Sequence, residues 1–345
     1  MTKMNRTYHY ILLIANLAAS ASHAQWLIPQ DTIRIIFGGD VMLARNVGEI
    51  IQAQSADYPW LGISQYLRAA DIAVVNFECT AGTLQRHVAK EYIFQASPDC
   101  ISGMARAGID AAVIANNHIY DYFGAGVTET AQRLSNAGII PIGGGINIGA
   151  FFAPRSFYIR GNWIAVIGLN DTESGFWGAD VPGCAPTWTA WGESLAIAQI
   201  VAMSELGATV IAYEHWGVEY DTIPRKRQRE LAYKLINAGA IAVIGSHPHR
   251  IQGIEFYGNG IIAYSLGNLI FDQRDTLGNI GALLELGIAN GGIAFAGLLP
   301  TQTLTAFAQP QPFCANSGKM TIRLNREIFG ASVSQKVDWM VVNPE

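Results

Sequence analysis

Seven short apolar runs constrain the fold of this chain more than any other feature. They are rich in Ile, Val and Ala, and they occupy residues 33–37, 72–75, 111–115, 164–168, 209–213, 241–244 and 261–264. Continuous apolar runs of this length favour strands that are buried on both faces. The runs therefore predict a sheet whose two sides are both covered.

Helical patterns separate these runs. They lie at residues 63–70, 98–107, 126–137, 193–206 and 225–238. Gly138 and Gly239 follow two of them, as is typical of helix ends. The alternation of strand and helix predicts an α/β fold with a largely parallel or mixed sheet. Only 14% of the residues are charged and the net charge is -5, which argues against disorder and against a nucleic-acid partner.

Three segments divide the chain. Residues 1–24 combine Lys3 and Arg6, an apolar stretch and the small-x-small end Ser22-His23-Ala24, the layout of a signal peptide. We expect cleavage there and an exported protein, periplasmic or extracellular; an uncleaved membrane anchor is the alternative. Residues 31–280 are predicted to form the main domain, and residues 281–345 a β extension of it.

The cysteines have two interpretations in an exported protein. They are Cys79, Cys100, Cys184 and Cys314, and no pair has Cys-x-x-Cys spacing. They are either small buried apolar residues or form one or two disulfides, for which three pairings exist. The sequence does not choose among the pairings.

Polar side chains with metal-binding chemistry follow most of the apolar runs. They are Asp40, Glu78, Asn117, His118, His215, His247 and His249. In open α/β sheets, ligands bind beyond the carboxyl ends of the strands, so these side chains are expected to converge. Turn formation, helix capping or ordinary ion pairing explains each of them singly, but their convergence favours a metal or catalytic centre.

A mixed set of nitrogen and oxygen donors selects the metal. It suits manganese, zinc or iron better than calcium, which prefers oxygen ligands alone. One carboxylate between two divalent ions reduces their repulsion, and such a pair activates water for hydrolysis. We therefore expect one or two divalent ions.

Six motifs in order resemble one family. They are Gly39-Asp40-Val41-Met42, Asn76-Phe77-Glu78, Ala115-Asn116-Asn117-His118, His215-Trp216-Gly217-Val218-Glu219-Tyr220, Gly245-Ser246-His247-Pro248-His249 and Tyr264-Ser265-Leu266-Gly267-Asn268. Over residues 33–273 the chain resembles the bacterial CapA family, the PgsA-like capsule synthesis proteins associated with poly-γ-glutamate. That family is similar to the calcineurin-like metallophosphoesterases. The resemblance implies a four-layer α/β/β/α sandwich with two mixed sheets in place of a single sheet.

The resemblance also implies roles for the polar residues. One metal would be held by Asp40, Glu78 and His249. A second would be held by Glu78, Asn117, His215 and His247, with Glu78 bridging. His118 would protonate the leaving group, and Asp40 and Asn117 would belong to the same catalytic site. The chain departs from the phosphoesterases at Met42, where a histidine ligand is expected, and at Asn76-x-Glu78, which replaces Gly-Asp-x-x-Asp.

The function implied is synthesis, processing or export of an anionic surface polymer or its precursor, with a membrane-bound synthesis or export complex as partner. The expected chemistry is metal-dependent hydrolysis of a phosphoryl or γ-glutamyl amide group. A polymer-binding or assembly subunit without catalysis is one alternative, and a secreted phosphoesterase of small esters is another.

Three further features have weaker interpretations. Glu219 is an additional ligand or a solvated glutamate. The basic run at residues 225–229 is a solvated helix face or a contact for an anionic polymer. The glycines at residues 143–145 are expected to form a flexible turn.

Overall fold

The structure is a computed structural model that describes residues 31–174, 181–273, 275, 277–304, 309–312, 331–336 and 339–344. The predicted signal peptide at residues 1–24 and Cys314 lie outside the described residues.

The strands occupy much of the described chain. In chain order they are β1 (Ile33–Val41), β2 (Ile72–Phe77), β3 (Thr80–Ala81), β4 (Gln95–Ala96), β5 (Ala111–Val113), β6 (Ile140–Ile142), β7 (Gly144–Gly145), β8 (Arg155–Ile159), β9 (Asn162–Asn170), β10 (Gly183–Cys184), β11 (Thr209–His215), β12 (Ala240–Ser246), β13 (Ile254–Tyr257), β14 (Gly260–Ala263), β15 (Asn268–Ile270), β16 (Ile280–Ala289), β17 (Gly292–Leu304), β18 (Gln309–Pro312), β19 (Ala331–Lys336) and β20 (Trp339–Pro344). Each of the seven apolar runs coincides with or overlaps one of these strands.

Helices connect many of the strands. They are α1 (Arg45–Ala53), α2 (Ser64–Leu67), α3 (Cys100–Ala107), α4 (Phe123–Asn136), α5 (Ile148–Phe151), α6 (Ala190–Glu205) and α7 (Lys226–Asn237), with a short 3₁₀ helix at Tyr58–Trp60. Among the described residues, no helix combines the length and the apolar character needed to cross a membrane.

A mixed sheet of ten strands forms the first half of the fold. Its strand order is β19-β20-β17-β16-β1-β2-β5-β6, with β15 beside β1 and β18 beside β17. Strand β1 pairs in parallel with β2 and antiparallel with β16. A turn at residues 289–292 joins β16 to β17, with Asn290 and Gly291 both at positive φ. Two such residues give the turn a twist that matches the hairpin.

A second sheet of six strands faces the first. Its order is β13-β14-β12-β11-β9-β8, with a parallel centre and antiparallel edges. Alternate residues of its strands, such as Ile211 and Ile244, share a core with the first sheet. The residues between them, such as Ala212 and Val243, share a core with Leu231 of α7. Both faces are buried, which explains the unbroken apolar runs and confirms the α/β fold with mixed sheets.

Two local predictions were wrong. The helix predicted at residues 63–70 is limited to α2, because the amides of Ala69 and Ala70 form tighter i→i+3 hydrogen bonds before Asp71 joins the first sheet. The glycines at residues 143–145 are not a flexible turn. Gly143 takes φ +81°, and a Cβ there would lie 2.5 Å from the Gly168 carbonyl oxygen, so close backbone approach requires glycine.

The described cysteines are not paired. Cys79, Cys100 and Cys184 are buried and free, which leaves the buried apolar interpretation for these three. Burial raises the pKa of Cys100 and of Cys184 to about 12. These thiols are therefore protonated and unreactive in the folded chain.

Candidate metal centre

The predicted ligands meet where strand ends from both sheets converge. Asp40 ends β1, Glu78 follows β2, and Asn117 follows β5, all in the first sheet. His215 ends β11, and the segment that carries His247 and His249 follows β12, both in the second sheet. The site therefore lies between the sheets, with oxygen donors from one and imidazoles from the other.

Two groups of three side chains have the spacing of metal sites. The first is Asp40, Glu78 and His249; the second is Glu78, His215 and His247. Within each group the potential ligand atoms lie within 4.8 Å of one another, and all five residues are buried. Glu78 belongs to both groups, and its Oε1 lies 3.7 Å from His249 Nε2 and 4.0 Å from His215 Nε2. This geometry suits a carboxylate that bridges two ions.

Unsatisfied polar atoms test whether the site fits a metal. Glu78 Oε1 and His247 Nδ1 are buried and have no hydrogen-bond partner among the described residues. A buried polar atom without a partner costs about 1–3 kcal/mol. Metal coordination would remove that cost at both atoms, so the donor set fits a divalent ion.

The protonation states also fit. Burial lowers the pKa of His247 to about 3 and lowers the pKa of His215 well below its usual value. Both imidazoles are therefore neutral near neutral pH, as metal ligation requires. Burial, and then the nearby Asp40 carboxylate, raise the pKa of Glu78 well above its usual value. A cation held beside Glu78 would oppose this effect and favour the charged form of the carboxyl.

Asn117 lies beside the second group. Its Oδ1 is 2.9 Å from His215 Nε2, so the amide oxygen lies against a nitrogen of that group. The structure thus brings together all six residues of the predicted ligand set.

Two asparagines that were not predicted as site residues hold the carboxylates in place. Asn76 Nδ2 donates to Asp40 Oδ1 at 2.8 Å and to Glu78 Oε2 at 3.3 Å. Asn116 Nδ2 in turn donates to Asn76 Oδ1 at 3.1 Å. The signal for Asn76 was available, since a residue two positions before Glu78 at a strand end faces the same side.

Asn268 fixes the orientation of His249. Its Nδ2 donates to the Gly278 carbonyl oxygen at 2.8 Å, so its Oδ1 faces His249 Nδ1 at 2.9 Å. His249 Nδ1 then carries the hydrogen, and Nε2 is left free toward Glu78. Hydrogen bonds of this kind orient metal-binding imidazoles in proteins.

The loop that carries two of the histidines has a constrained backbone. His247 and His249 take φ of +94° and +52°, a region that non-glycine residues rarely adopt. The His247 amide points toward the Asp40 carboxylate, with 3.3 Å between nitrogen and Oδ2. Such conformations persist where surrounding contacts enforce them, commonly at functional sites.

His118 lies next to this cluster but in neither group of three. Its Nδ1 is 2.7 Å from Asp121 Oδ2, and its ring stacks on Phe94 with the centroids 4.0 Å apart. Burial lowers the pKa of His118, and the Asp121 carboxylate opposes that effect. The carboxylate holds the hydrogen on Nδ1, which leaves Nε2 for proton transfer. Asp121, three residues after His118, could have been proposed from the sequence, whereas Phe94 could not.

Two other predicted features are not among the residues of the metal groups. Met42 is buried, and its sulfur accepts a hydrogen bond from the Ala44 amide. Glu219 is exposed and belongs to neither group.

Ion pairs occupy much of the basic run at residues 225–229. Arg227 pairs with Asp171 and Glu193, and Lys226 pairs with Glu230. These side chains therefore have partners within the chain.

The chain is similar to known proteins over most of its length. Residues 34–273 match the family described as "Bacterial capsule synthesis protein PGA_cap". The chain is 27% identical over 308 residues to the capsule biosynthesis protein CapA of Bacillus anthracis, covering 87% of this chain and 74% of that protein. It is 29% identical over 267 residues to the PGA biosynthesis protein CapA of Bacillus subtilis, covering 76% and 69%.

The fold is similar to that of a hypothetical protein from Thermus thermophilus, with a TM-score of 0.50, 14% identity, and coverage of 79% of this chain and 100% of that one. This likeness concerns the fold alone. With the family match covering most of the chain, the protein belongs to the CapA (PGA_cap) family of bacterial capsule synthesis proteins.

Proposed function

We propose that this chain is a metal-dependent hydrolase that acts in the synthesis, processing or export of an anionic surface polymer of the poly-γ-glutamate type. The observation that carries the hydrolase proposal is the position of Glu78, buried and shared by two potential metal groups. The names of the two Bacillus relatives support the polymer context.

The residues divide into a metal-holding set and a proton-transferring pair. Asp40, Glu78, Asn117 and the three clustered histidines would hold one or two ions of manganese, zinc or iron. When bound, such ions supply Lewis acidity and lower the pKa of water. In its imidazolium form His118 carries a proton on Nε2, and it gives that proton to the leaving nitrogen or oxygen as water adds to the carbonyl carbon or phosphorus and the bond to the leaving atom breaks. Asp121 accepts the hydrogen on Nδ1, which orients the ring and favours the imidazolium form.

The His118–Asp121 pair favours catalysis over a purely binding role. It is buried, and it lies outside both metal groups. A site that served only to hold a metal or a polymer would not need a fourth imidazole, outside the metal groups and oriented by a carboxylate. An enzyme that breaks a bond needs an acid for its leaving group.

We also propose that the protein is exported and works beside a membrane-bound polymer synthesis complex. The signal-peptide pattern of residues 1–24 supports export. N-terminal sequencing of the protein secreted by its host tests this, and an intact residue 1 would contradict cleavage.

Metal content and hydrolysis test the proposed function together. Purified wild type should carry a divalent metal, and His247→Ala should lose most of it by elemental analysis. The wild type should release shorter chains from γ-glutamyl oligomers, and His118→Ala should keep the metal but lose turnover. Negligible metal in both proteins would refute the metal centre. A metal-loaded protein that binds polymer but cleaves neither amides nor nucleotides would be an assembly subunit. Cleavage of nucleotides alone would indicate a small-molecule phosphoesterase.

A further inference from the structure

The connection between β3 and β4, residues 82–94, forms a wall beside His118. The Val88 amide donates to the Asp121 carbonyl oxygen at 2.9 Å, and the Phe94 amide donates to Asp121 Oδ2 at 2.8 Å. The Phe94 ring stacks on His118. The wall is therefore fixed to the segment that carries His118.

Lys90 places an ammonium group on the side of this wall that faces His118. Its Nζ donates to the Asn117 carbonyl oxygen at 2.9 Å and to Asp121 Oδ1 at 3.2 Å. His118 Nδ1 lies 3.3 Å away, but it donates its own hydrogen to Asp121 and cannot accept another. An ammonium has three N–H donors, so one stays available to a ligand.

The side chain of Lys90 is 31% exposed. Its contacts with the Asn117 carbonyl oxygen and the His118 ring place the ammonium beside the cluster. The available N–H is thus close to where a substrate would react.

Arg45 provides a second cation, next to the Phe94 ring. Its guanidinium carbon lies 5.4 Å from the Phe94 ring centre and 6.0 Å from that of Tyr92. Among the described residues, the buried Asp272 pairs with Arg45 at 3.0 Å and leaves the side chain 40% exposed. Arg45 also takes φ +52°, so local contacts enforce its position.

Lys90 and Arg45 are both held by buried carboxylates, and aromatic surface lies between them. Fixed side chains lose little freedom on binding, so they bind anions at lower entropic cost than mobile surface lysines. Two cations separated by an apolar surface match a chain whose repeats each carry one carboxylate joined by methylene groups.

We propose that this wall, through Lys90 and the adjacent Arg45, binds anions and selects substrates with free carboxylates on the residues flanking the scissile bond. The location of that bond beside His118 rests on the proposed function. A compact phosphate reaches Lys90 only, whereas a glutamyl chain reaches both cations.

Binding to metal-free protein tests the wall without turnover. The probes are a γ-glutamyl pentamer with free α-carboxylates, the same pentamer fully α-amidated, and inorganic phosphate, each titrated calorimetrically. We expect Lys90→Met to lower the affinity for the free-acid pentamer by roughly tenfold or more, as for the loss of a hydrogen bond to a charged group. Lys90→Arg should retain most of the affinity. Arg45→Gln should weaken binding of the free-acid pentamer but not binding of phosphate. Lys226→Met, an exposed lysine paired on α7, is the matched control and should bind as wild type.

Two results would overturn the proposal. One is equal affinity of the wild type for the acid and amidated pentamers; the other is a folded Lys90→Met protein that binds the acid pentamer as tightly as wild type. Other results distinguish a failure of the proposed hydrolase function from a failure of the anion-binding wall. Lys90-dependent binding by a metal-loaded protein that cleaves nothing would refute hydrolysis and keep the wall. Hydrolysis with a KM unaffected by Lys90→Met would keep the enzyme and refute the wall.

Discussion

His247 should make the metal-free protein sensitive to acid. Burial lowers the pKa of its imidazole from 6.5 to about 3. The unfolded chain binds a proton at this histidine below about pH 6.5, whereas the folded chain stays neutral there until near pH 3. Acidification therefore favours the unfolded chain. The contribution of His247 to the free energy of unfolding is complete above about pH 6.5 and is lost progressively as the pH falls toward about 3.

The size of the loss follows from the same two values. Each unit between the unfolded-state pKa and the pH costs about 1.4 kcal/mol while the folded state stays unprotonated. Between about pH 7.5 and about pH 5, His247 alone should remove about 2 kcal/mol from the free energy of unfolding, and the limit near pH 3 is about 5 kcal/mol. The loss of about 2 kcal/mol is a large part of the total stability of an ordinary domain.

Urea unfolding with chelator present, at the two pH values, measures this term. The variant is His247→Asn, because asparagine tolerates the positive φ of this position better than most residues. Other buried histidines contribute in both proteins, so the wild type should lose about 2 kcal/mol more than the variant on acidification. His87→Asn, at an exposed histidine, is the control and should follow the wild type. Equal losses in wild type and His247→Asn would refute the argument that His247 is buried as a neutral imidazole.

Three other changes test separate parts of the structure. Glu78→Gln should remove metal from both groups while the metal-free melting temperature changes by only a few degrees, since burial raises the pKa of this carboxyl and disfavours its charged form; retained metal by elemental analysis would contradict its bridging position. Asp121→Asn should lower turnover about 10²- to 10⁴-fold with metal content unchanged, measured as initial rates, because His118 loses its orienting acceptor. Leu231→Ala should cost about 2–5 kcal/mol in urea unfolding, because this α7 side chain is fully buried against the second sheet. A loss under about 1 kcal/mol would mean that the helix layer packs loosely.

The strands and the ligands were predictable for one physical reason. Strands buried on both faces cannot carry polar side chains along their length, so polar residues accumulate where the strands end. Asp40, Glu78 and His215 each stand at or just past such an end, and this made them visible in the sequence. The unbroken apolar runs and the site are two consequences of the same layered core.

The division into two sheets was not visible in the same way. The apolar runs of β5 and β9 are both followed by polar residues, yet β5 lies inside the first sheet and β9 inside the second. Pairing between strands distant in sequence, such as β1 with β16, depends on tertiary packing that a local pattern does not encode. Only the family resemblance indicated two sheets.

The role of residues 82–94 could not be predicted from the sequence either, because it depends on tertiary contacts and not on a sequence pattern. Lys90 carries no spacing signal, and its place is set by two hydrogen bonds to residues far along the chain. Phe94 would be interpreted as an ordinary core aromatic. Loops of this kind carry specificity in many folds, and a rigid scaffold positions them.

The division of the ligands between the sheets links metal binding to the stability of the fold. The first sheet supplies Asp40, Glu78 and Asn117, and the second supplies the three imidazoles. Without metal, this interface holds a carboxyl group whose charged form is disfavoured by burial, and two unsatisfied atoms, which weigh against folding. Its buried imidazoles add to that cost only as the pH falls below the pKa of the unfolded chain. A bound ion would satisfy those atoms and join both sheets at one point, so its binding free energy adds directly to the free energy of unfolding. The poorly charged core can therefore accommodate this polar cluster, because the cation that the cluster binds would also offset the cost of burying it.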